Sequence, residues 1–285
     1  MGALFALLLN AGFVLSKFVM GYSILFFATL AVHYHNDYFD FEADHYVKPT
    51  AISGGSGVLV ENPGWRGLSK NIALTFIGLS IALSIAFSLI FFYSIGFVLF
   101  VICGNLLAWF YAAPPIKLSY RGLGEFGNVA IGLLFPAMGY FVLMGTLNLP
   151  LLIFTVPIMF LQMIFTSSVE IPDMEGDSLG GKRTWIVLYG RGFGFRIIAV
   201  SAILSTASLL LISLTGVFSP TINFQVLAII SLIPLVFGVL ELIKKPLDRE
   251  SATRFSKYNL ASVFTMVILI NIYFLYLLKG GGFII

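Results

Sequence analysis

Two triplets of carboxylates share one spacing. Asp37, Asp40 and Asp44 read D-x-x-D-x-x-x-D, and 133 residues further on Glu170, Asp173 and Asp177 read E-x-x-D-x-x-x-D. Offsets of 3 and 7 residues place the three side chains on one side of a helix, so each triplet is an acidic ladder. Carboxylates this close repel, raise one another's pKa, and are costly at the edge of hydrocarbon unless a cation compensates them. Oxygen ligands without cysteine, and with histidine only at the margins (His33, His35, His45), favour Mg²⁺ over zinc. Mg²⁺ commonly bridges carboxylates to substrate phosphates, so phosphate is the natural remaining ligand. Lys48 follows the first ladder, Lys182 and Arg183 follow the second, and Lys117 and Arg121 lie between them. Each could neutralise phosphate oxygens, and each could equally be a cytoplasmic topology signal.

The elements that must position these side chains are set by composition. The 285 residues are 59% apolar and 10% charged, with mean hydropathy +1.00 and 29 Phe, which excludes an ordinary soluble domain. We expect an all-α polytopic membrane protein, one domain over 1–285, with nine transmembrane helices. They fall near residues 1–16, 18–40, 70–92, 95–113, 124–147, 150–171, 192–216, 221–243 and 256–279. The bilayer is therefore one partner. A net charge of +3 without basic tracts argues against a nucleic-acid partner. Cys103 is the sole cysteine, so no internal disulfide is possible.

Of 16 Lys and Arg, 14 lie in or beside the breaks after the second, fourth, sixth and eighth expected spans, and all 13 carboxylates lie on that same side. Retention of basic residues in the cytoplasm then puts the N-terminus and both ladders on the cytoplasmic side of the cell membrane and the C-terminus outside. Asn105, Gln162 and Asn271 within spans suit either a cavity lining or interhelical hydrogen bonds, with Glu125 and Asn128 equally open; Gly132, Gly139 and Gly145 suit close packing. Oligomeric state is not written in the sequence.

Three segments, "NDYFDFEAD" (Asn36 to Asp44), "YAAPPIKLSYRGLGE" (Tyr111 to Glu125) and "DMEGDSLGGKRT" (Asp173 to Thr184), resemble the signature segments of the UbiA superfamily of intramembrane prenyltransferases. The resemblance implies a helical bundle around a central cavity, where two Asp-rich motifs hold Mg²⁺ on the diphosphate of a polyprenyl donor. Asn36, Asp37, Asp40 and Asp44 would form the first metal site and Asp173 and Asp177, with Glu170 ahead of them, the second. Lys117 would contact the diphosphate. Asp37, Asp40, Asp173 and Lys117 are thus the expected catalytic groups, and Lys48, Lys117, Arg121, Lys182, Arg183 and Tyr111 the expected donor-binding set. Tyr111, like Phe39 and Tyr140, is also a candidate for cation–π stabilisation of an allylic cation.

The stretch "SGGSGVLVENPGW", Ser53 to Trp65, looks like the corresponding loop of 1,4-dihydroxy-2-naphthoate prenyltransferases of menaquinone synthesis, which implies an aromatic acceptor. Enzymes making digeranylgeranylglyceryl phosphate, with a lipid acceptor, and 4-hydroxybenzoate enzymes more often carry Arg-Pro and Ser-Gly after the first ladder, where "VKPTAISGG" is a partial match. Glu170 stands where Asn or Asp is more usual. A cation-coupled transporter is the rival of another class, but its acids usually sit near the bilayer midplane, whereas these gather at span ends.

Overall fold

A helix satisfies its backbone N–H and C=O groups within its own segment, which is what hydrocarbon demands of a spanning chain. The computed structural model describes residues 1–47 and 50–280, and those residues are accordingly helices joined by turns. Four helices open the chain, α1 (Gly2–Leu8), α2 (Leu15–Phe39), α3 (Phe41–Asp44) and α4 (Val58–Glu61). Next come α5 (Arg66–Phe91), α6 (Ile95–Ala112), α7 (Gly124–Met144) and α8 (Leu149–Glu170). The short α9 (Met174–Leu179) and α10 (Trp185–Tyr189) precede α11 (Arg191–Thr215), α12 (Phe224–Ile230), α13 (Leu232–Lys244) and α14 (Arg249–Gly280).

Among the described residues, 8 helical segments are long and apolar enough to cross a membrane: Leu15–Phe39, Pro63–Phe91, Ile95–Ala112, Gly124–Met144, Leu149–Leu179, Arg191–Thr215, Phe224–Lys244 and Arg249–Gly280. The expected ninth span, over 1–16, is not formed. α1 has only 7 residues, a rise of about 10 Å against a hydrocarbon core of about 30 Å. Asn10 then turns the chain in the left-handed region at φ 66°, ending the helix. An even number of crossings also removes the basis for an inside N-terminus paired with an outside C-terminus.

Contacts divide the chain into two compact units. One comprises Met1–Val14, Asn128–Ile171 and the chain from Arg191 onward. Within it α11 packs on α8 and α13, and α14 packs on α13, α8 and α1. Phe5 of α1 is fully buried and stacks on Phe154 at 4.0 Å between ring centroids, so this apolar segment serves the core of its unit rather than spanning. A Cβ at Gly132 would lie 2.7 Å from Met159 Cα, and one at Gly139 would lie 2.9 Å from the Ala3 nitrogen, so both glycines serve close packing. Gln162 and Asn271 bond within their own helices, to Thr166 Oγ1 at 3.5 Å and the Val267 carbonyl at 2.8 Å.

The other unit comprises Leu15–Gly127 and Pro172–Gly190. α2 lies along α5, and α6 packs on both. Ser80 Oγ donates to the Ile24 carbonyl at 3.1 Å, and Asn105 Nδ2 reaches Ser80 Oγ at 3.4 Å. Asn105 is thus an interhelical hydrogen-bonding residue. α3, which continues α2 past Asp40, meets α9.

Candidate functional site

Both acidic ladders bend where they leave their long helices. Asp40 breaks α2 from α3 at φ −88° and ψ 3°, yet its N–H still donates to the Asn36 carbonyl, and the Asp44 N–H to the Asp40 carbonyl, each at 2.8 Å. The first ladder therefore keeps its helical order through the bend. In the second, α8 ends at Glu170, a 3₁₀ turn runs over Ile171–Asp173, and α9 carries Asp177. Glu170 is buried and falls in the first-described unit; Asp173 and Asp177 fall in the second, with the whole first ladder.

Two glycines let the ladders approach. A Cβ at Gly176 would lie 2.7 Å from Val47 Cα and 2.9 Å from the Tyr46 carbonyl oxygen, while one at Gly180 would overlap Ala43. Small residues in "DMEGDSLGG" thus bring α9 against α3 and the residues after it. At the junction, Lys182 Nζ lies 3.0 Å from Asp40 Oδ2 and 3.1 Å from Asp177 Oδ1, joining one carboxylate of each ladder through a single ammonium. Tyr120 donates its hydroxyl to the other oxygen of Asp40 at 2.8 Å.

The Gly-Ser loop supplies further donors. Ser53 Oγ donates to Asp173 Oδ1 at 2.8 Å, assisted by the Gly54 N–H. Ser56 Oγ donates to Asp37 Oδ2 at 2.7 Å, and a Cβ at Gly55, whose φ is +69°, would stand 3.0 Å from Asp44 Oδ2. One loop therefore touches both ladders. Asn36 Oδ1 is buried and without a hydrogen-bond partner among the described residues.

Two further loops are tied together beside this cluster. The Arg183 N–H donates to the Ser119 carbonyl at 2.9 Å, Trp185 Nε1 donates to the Gly122 carbonyl at 3.1 Å, and the Trp185 N–H donates to the buried Glu125 carboxylate. Thr184 caps α10 by accepting from the Val187 N–H at 3.3 Å. The segment carrying Lys182 is thereby fixed to the segment carrying Tyr120.

Burial is the main reason Asp44 is pushed up to about 7; neighbouring Asp40 adds to it, Lys182 opposes it, and Asp37 and Asp177 add more. Burial likewise raises Tyr120, and the Asp40 charge raises it further. For Lys182, burial disfavours the charged amine, but Asp40 and Asp177 outweigh it and hold the group well above the ordinary lysine range.

Not every expected residue joins the cluster. Lys117 Nζ lies over the Tyr120 ring at 4.2 Å, at the margin of the site. Arg121 turns to the Pro115 carbonyl at 2.8 Å, and Arg183 is exposed. Tyr111 packs close to Gly124, where a Cβ would lie 3.4 Å from its hydroxyl, whereas Phe39 packs edge-on to Trp109 at 5.1 Å and Tyr140 donates to Asn148 in the first-described unit. Lys48 lies outside the described residues. Spacing alone assigns no role to Ser53, Ser56, Tyr120, Gly176 or Gly180, whose signal in the sequence is their place inside the quoted segments.

No three His, Cys, Asp or Glu side chains among the described residues are gathered into a ready ligand set. The donor chemistry nevertheless suits a hard cation: two carboxylates already grip the Lys182 ammonium as a stand-in charge, and a buried amide oxygen at Asn36 awaits a partner.

Two curated relatives are similar to this chain. The 1,4-dihydroxy-2-naphthoate octaprenyltransferase of Bacillus subtilis (strain 168) is 26% identical over 223 residues, covering 73% of this chain and 69% of that protein. The digeranylgeranylglyceryl phosphate synthase of Methanobrevibacter smithii is 29% identical over 244 residues, 82% of this chain and 78% of that protein. A solved UbiA homolog from Archaeoglobus fulgidus, bound to GPP and Mg²⁺, superposes with TM-score 0.65 over 95% of this chain and 94% of that one at 15% identity, a likeness of fold. The paired acidic motifs are thus set in a sequence whose residues 1–264 match the model of the UbiA prenyltransferase family, and the chain belongs to that family.

Proposed function

We propose that this prenyltransferase moves a polyprenyl group from a polyprenyl diphosphate to 1,4-dihydroxy-2-naphthoate, with Mg²⁺ held by Asn36, by Asp37, Asp40 and Asp44 of the first ladder, and by Asp173 and Asp177 of the second. The observation that carries the reading is the convergence of Asp40 and Asp177 on one cation within a single unit. Mg²⁺, when bound, would neutralise charge on the departing diphosphate. Lys117, on its loop beside Tyr120, adds a point charge to the same anion. The allylic C–O bond then breaks with its electron pair going to diphosphate. The electron-rich naphthoate ring attacks the resulting carbocation, and loss of the ring carboxylate as CO₂ restores aromaticity. Asp37, Asp40 and Asp173 hold the charge balance, and exclusion of water protects the cation from hydrolysis.

The naphthoate acceptor rests on the Ser53 to Trp65 loop and on the Bacillus relative. The Methanobrevibacter relative supports a second acceptor, geranylgeranylglyceryl phosphate. The basic residues beside the ladders support a cytoplasmic site. With eight crossings this orientation puts Leu15 and Gly280 both on the outer side. The test is to incubate membranes containing the protein with geranylgeranyl diphosphate, Mg²⁺ and, separately, dihydroxynaphthoate, hydroxybenzoate or geranylgeranylglyceryl phosphate. A prenylated, decarboxylated 1,4-naphthalenediol (or its quinone) by mass spectrometry supports the reading. Product only with the glyceryl phosphate moves the acceptor to a lipid, and no Mg²⁺-dependent product from any acceptor overturns the reading.

A further inference from the structure

Lys182 was expected to serve phosphate, but its ammonium is already engaged by Asp40 and Asp177. The side chain is 14% exposed and its two partners 9% and 7%, so neither carboxylate is left to solvent. The ammonium and a divalent cation held by both ladders draw on the same two carboxylates and repel each other. Lysine carries its charge on a flexible four-carbon stem with three rotatable donors, so it can leave one anion for another without backbone movement. Its backbone is anchored independently of the side chain, with the Lys182 N–H donating to the Asp177 carbonyl at 2.9 Å.

We infer that Lys182 is an exchangeable internal counter-ion, which competes with the divalent cation for Asp40 and Asp177 and releases them when the donor's diphosphate offers it a new partner. This rests on the magnesium and diphosphate reading above and adds an order to it: cation and diphosphate bind together, each weakly without the other. Their coupling is reciprocal, as any binding linkage must be. A plain structural clamp is the competing role, and it has the opposite sign. Removing a clamp would let the ladders part and weaken cation binding, whereas removing a competitor strengthens it.

The test is Mn²⁺ binding, as a paramagnetic probe of the divalent site, to the full-length protein in detergent, with and without inorganic pyrophosphate. Wild-type protein is expected to bind Mn²⁺ at least about tenfold more tightly when pyrophosphate is present, a typical coupling size. In Lys182→Met, affinity for Mn²⁺ alone is expected to rise by about tenfold or more, and the pyrophosphate enhancement to shrink. Lys182→Arg, which keeps the charge, should bind Mn²⁺ alone as wild type does. Lys182→Gln provides the same neutral comparison if the Met variant fails to fold. Unchanged or weaker binding of Mn²⁺ alone in the neutral variants would overturn the counter-ion role while leaving the metal site standing. Wild-type protein that binds no Mn²⁺ even with pyrophosphate would overturn the metal reading itself.

Discussion

At the scale of single residues, four of the site's carboxylates are already provided with a donor: Ser56 for Asp37, Tyr120 and Lys182 for Asp40, Ser53 for Asp173 and Lys182 for Asp177. Asp37→Ala and Asp173→Ala should each lower turnover by at least about a hundredfold, the scale of losing one electrostatic contact to a developing charge. Thermal stability should stay near wild type, because each carboxylate lies at the edge of its helix; wild-type rates in either variant would refute the metal assignment. Asp44 gives a pH prediction with a definite sign. Burial pushes its pKa up to about 7 from the ordinary aspartate value of 3.8, so between those values the folded protein holds a proton that the unfolded chain has lost. Without metal, this group's contribution makes stability fall as pH rises through that window. Divalent binding needs the ionised form, so Mg²⁺ affinity should rise as pH is raised toward and past about 7. Melting temperature measured against pH, with and without Mg²⁺, reads both slopes, and parallel slopes would exclude Asp44 from the metal site.

At the scale of elements, the acid spacing was legible because helical periodicity fixes which side chains share a face, and the bend at Asp40 keeps that order through the bonds from Asp40 and Asp44. How closely the two ladders meet was not legible. It depends on Gly176 and Gly180 facing Val47 and Ala43, contacts between segments far apart in sequence. The donor roles of Ser53, Ser56 and Tyr120 were hidden for the same reason, since a hydroxyl carries no periodic signal. Gly176→Ala would push α9 off the residues after α3, with an overpacking cost of about 1–3 kcal/mol. Its expected signature is a lower melting temperature together with lost pyrophosphate-dependent metal binding; retention of both would show that the ladders do not need this approach. Unlike the ladders, Glu241 of α13 is fully buried with Asn259 of α14, whose Nδ2 donates to it at 2.8 Å. Glu241→Gln should be tolerated, while Glu241→Leu should destabilise by about 1–3 kcal/mol by stranding a buried amide, readable as a melting shift.

At the scale of the whole molecule, composition was enough to identify a polytopic membrane protein, since hydrocarbon leaves a chain this apolar little choice but helices. It was not enough to count the crossings. The run from residue 1 to 16 has the hydropathy of a span, but Asn10 turns it and Phe5 finds its partner in Phe154, neither of which a hydropathy window registers. In a Cys103→Ser background, single cysteines replacing Ser94 and Thr146 should react with an impermeant thiol reagent in intact cells, and those replacing Glu61 and Asp248 should not. The reverse pattern would invert the proposed orientation. The central claim, that both ladders together hold Mg²⁺ on a prenyl diphosphate, is met most directly by thermal melting of the purified protein with Mg²⁺, geranylgeranyl diphosphate, or both. A rise of several degrees that requires both, of the order given by about 2.7 kcal/mol at a ligand concentration of about 100 Kd, is predicted for wild type and should vanish in Asp37→Ala and in Asp173→Ala alike. The same rise in either variant, or stabilisation of wild type by a monovalent cation alone, would contradict it.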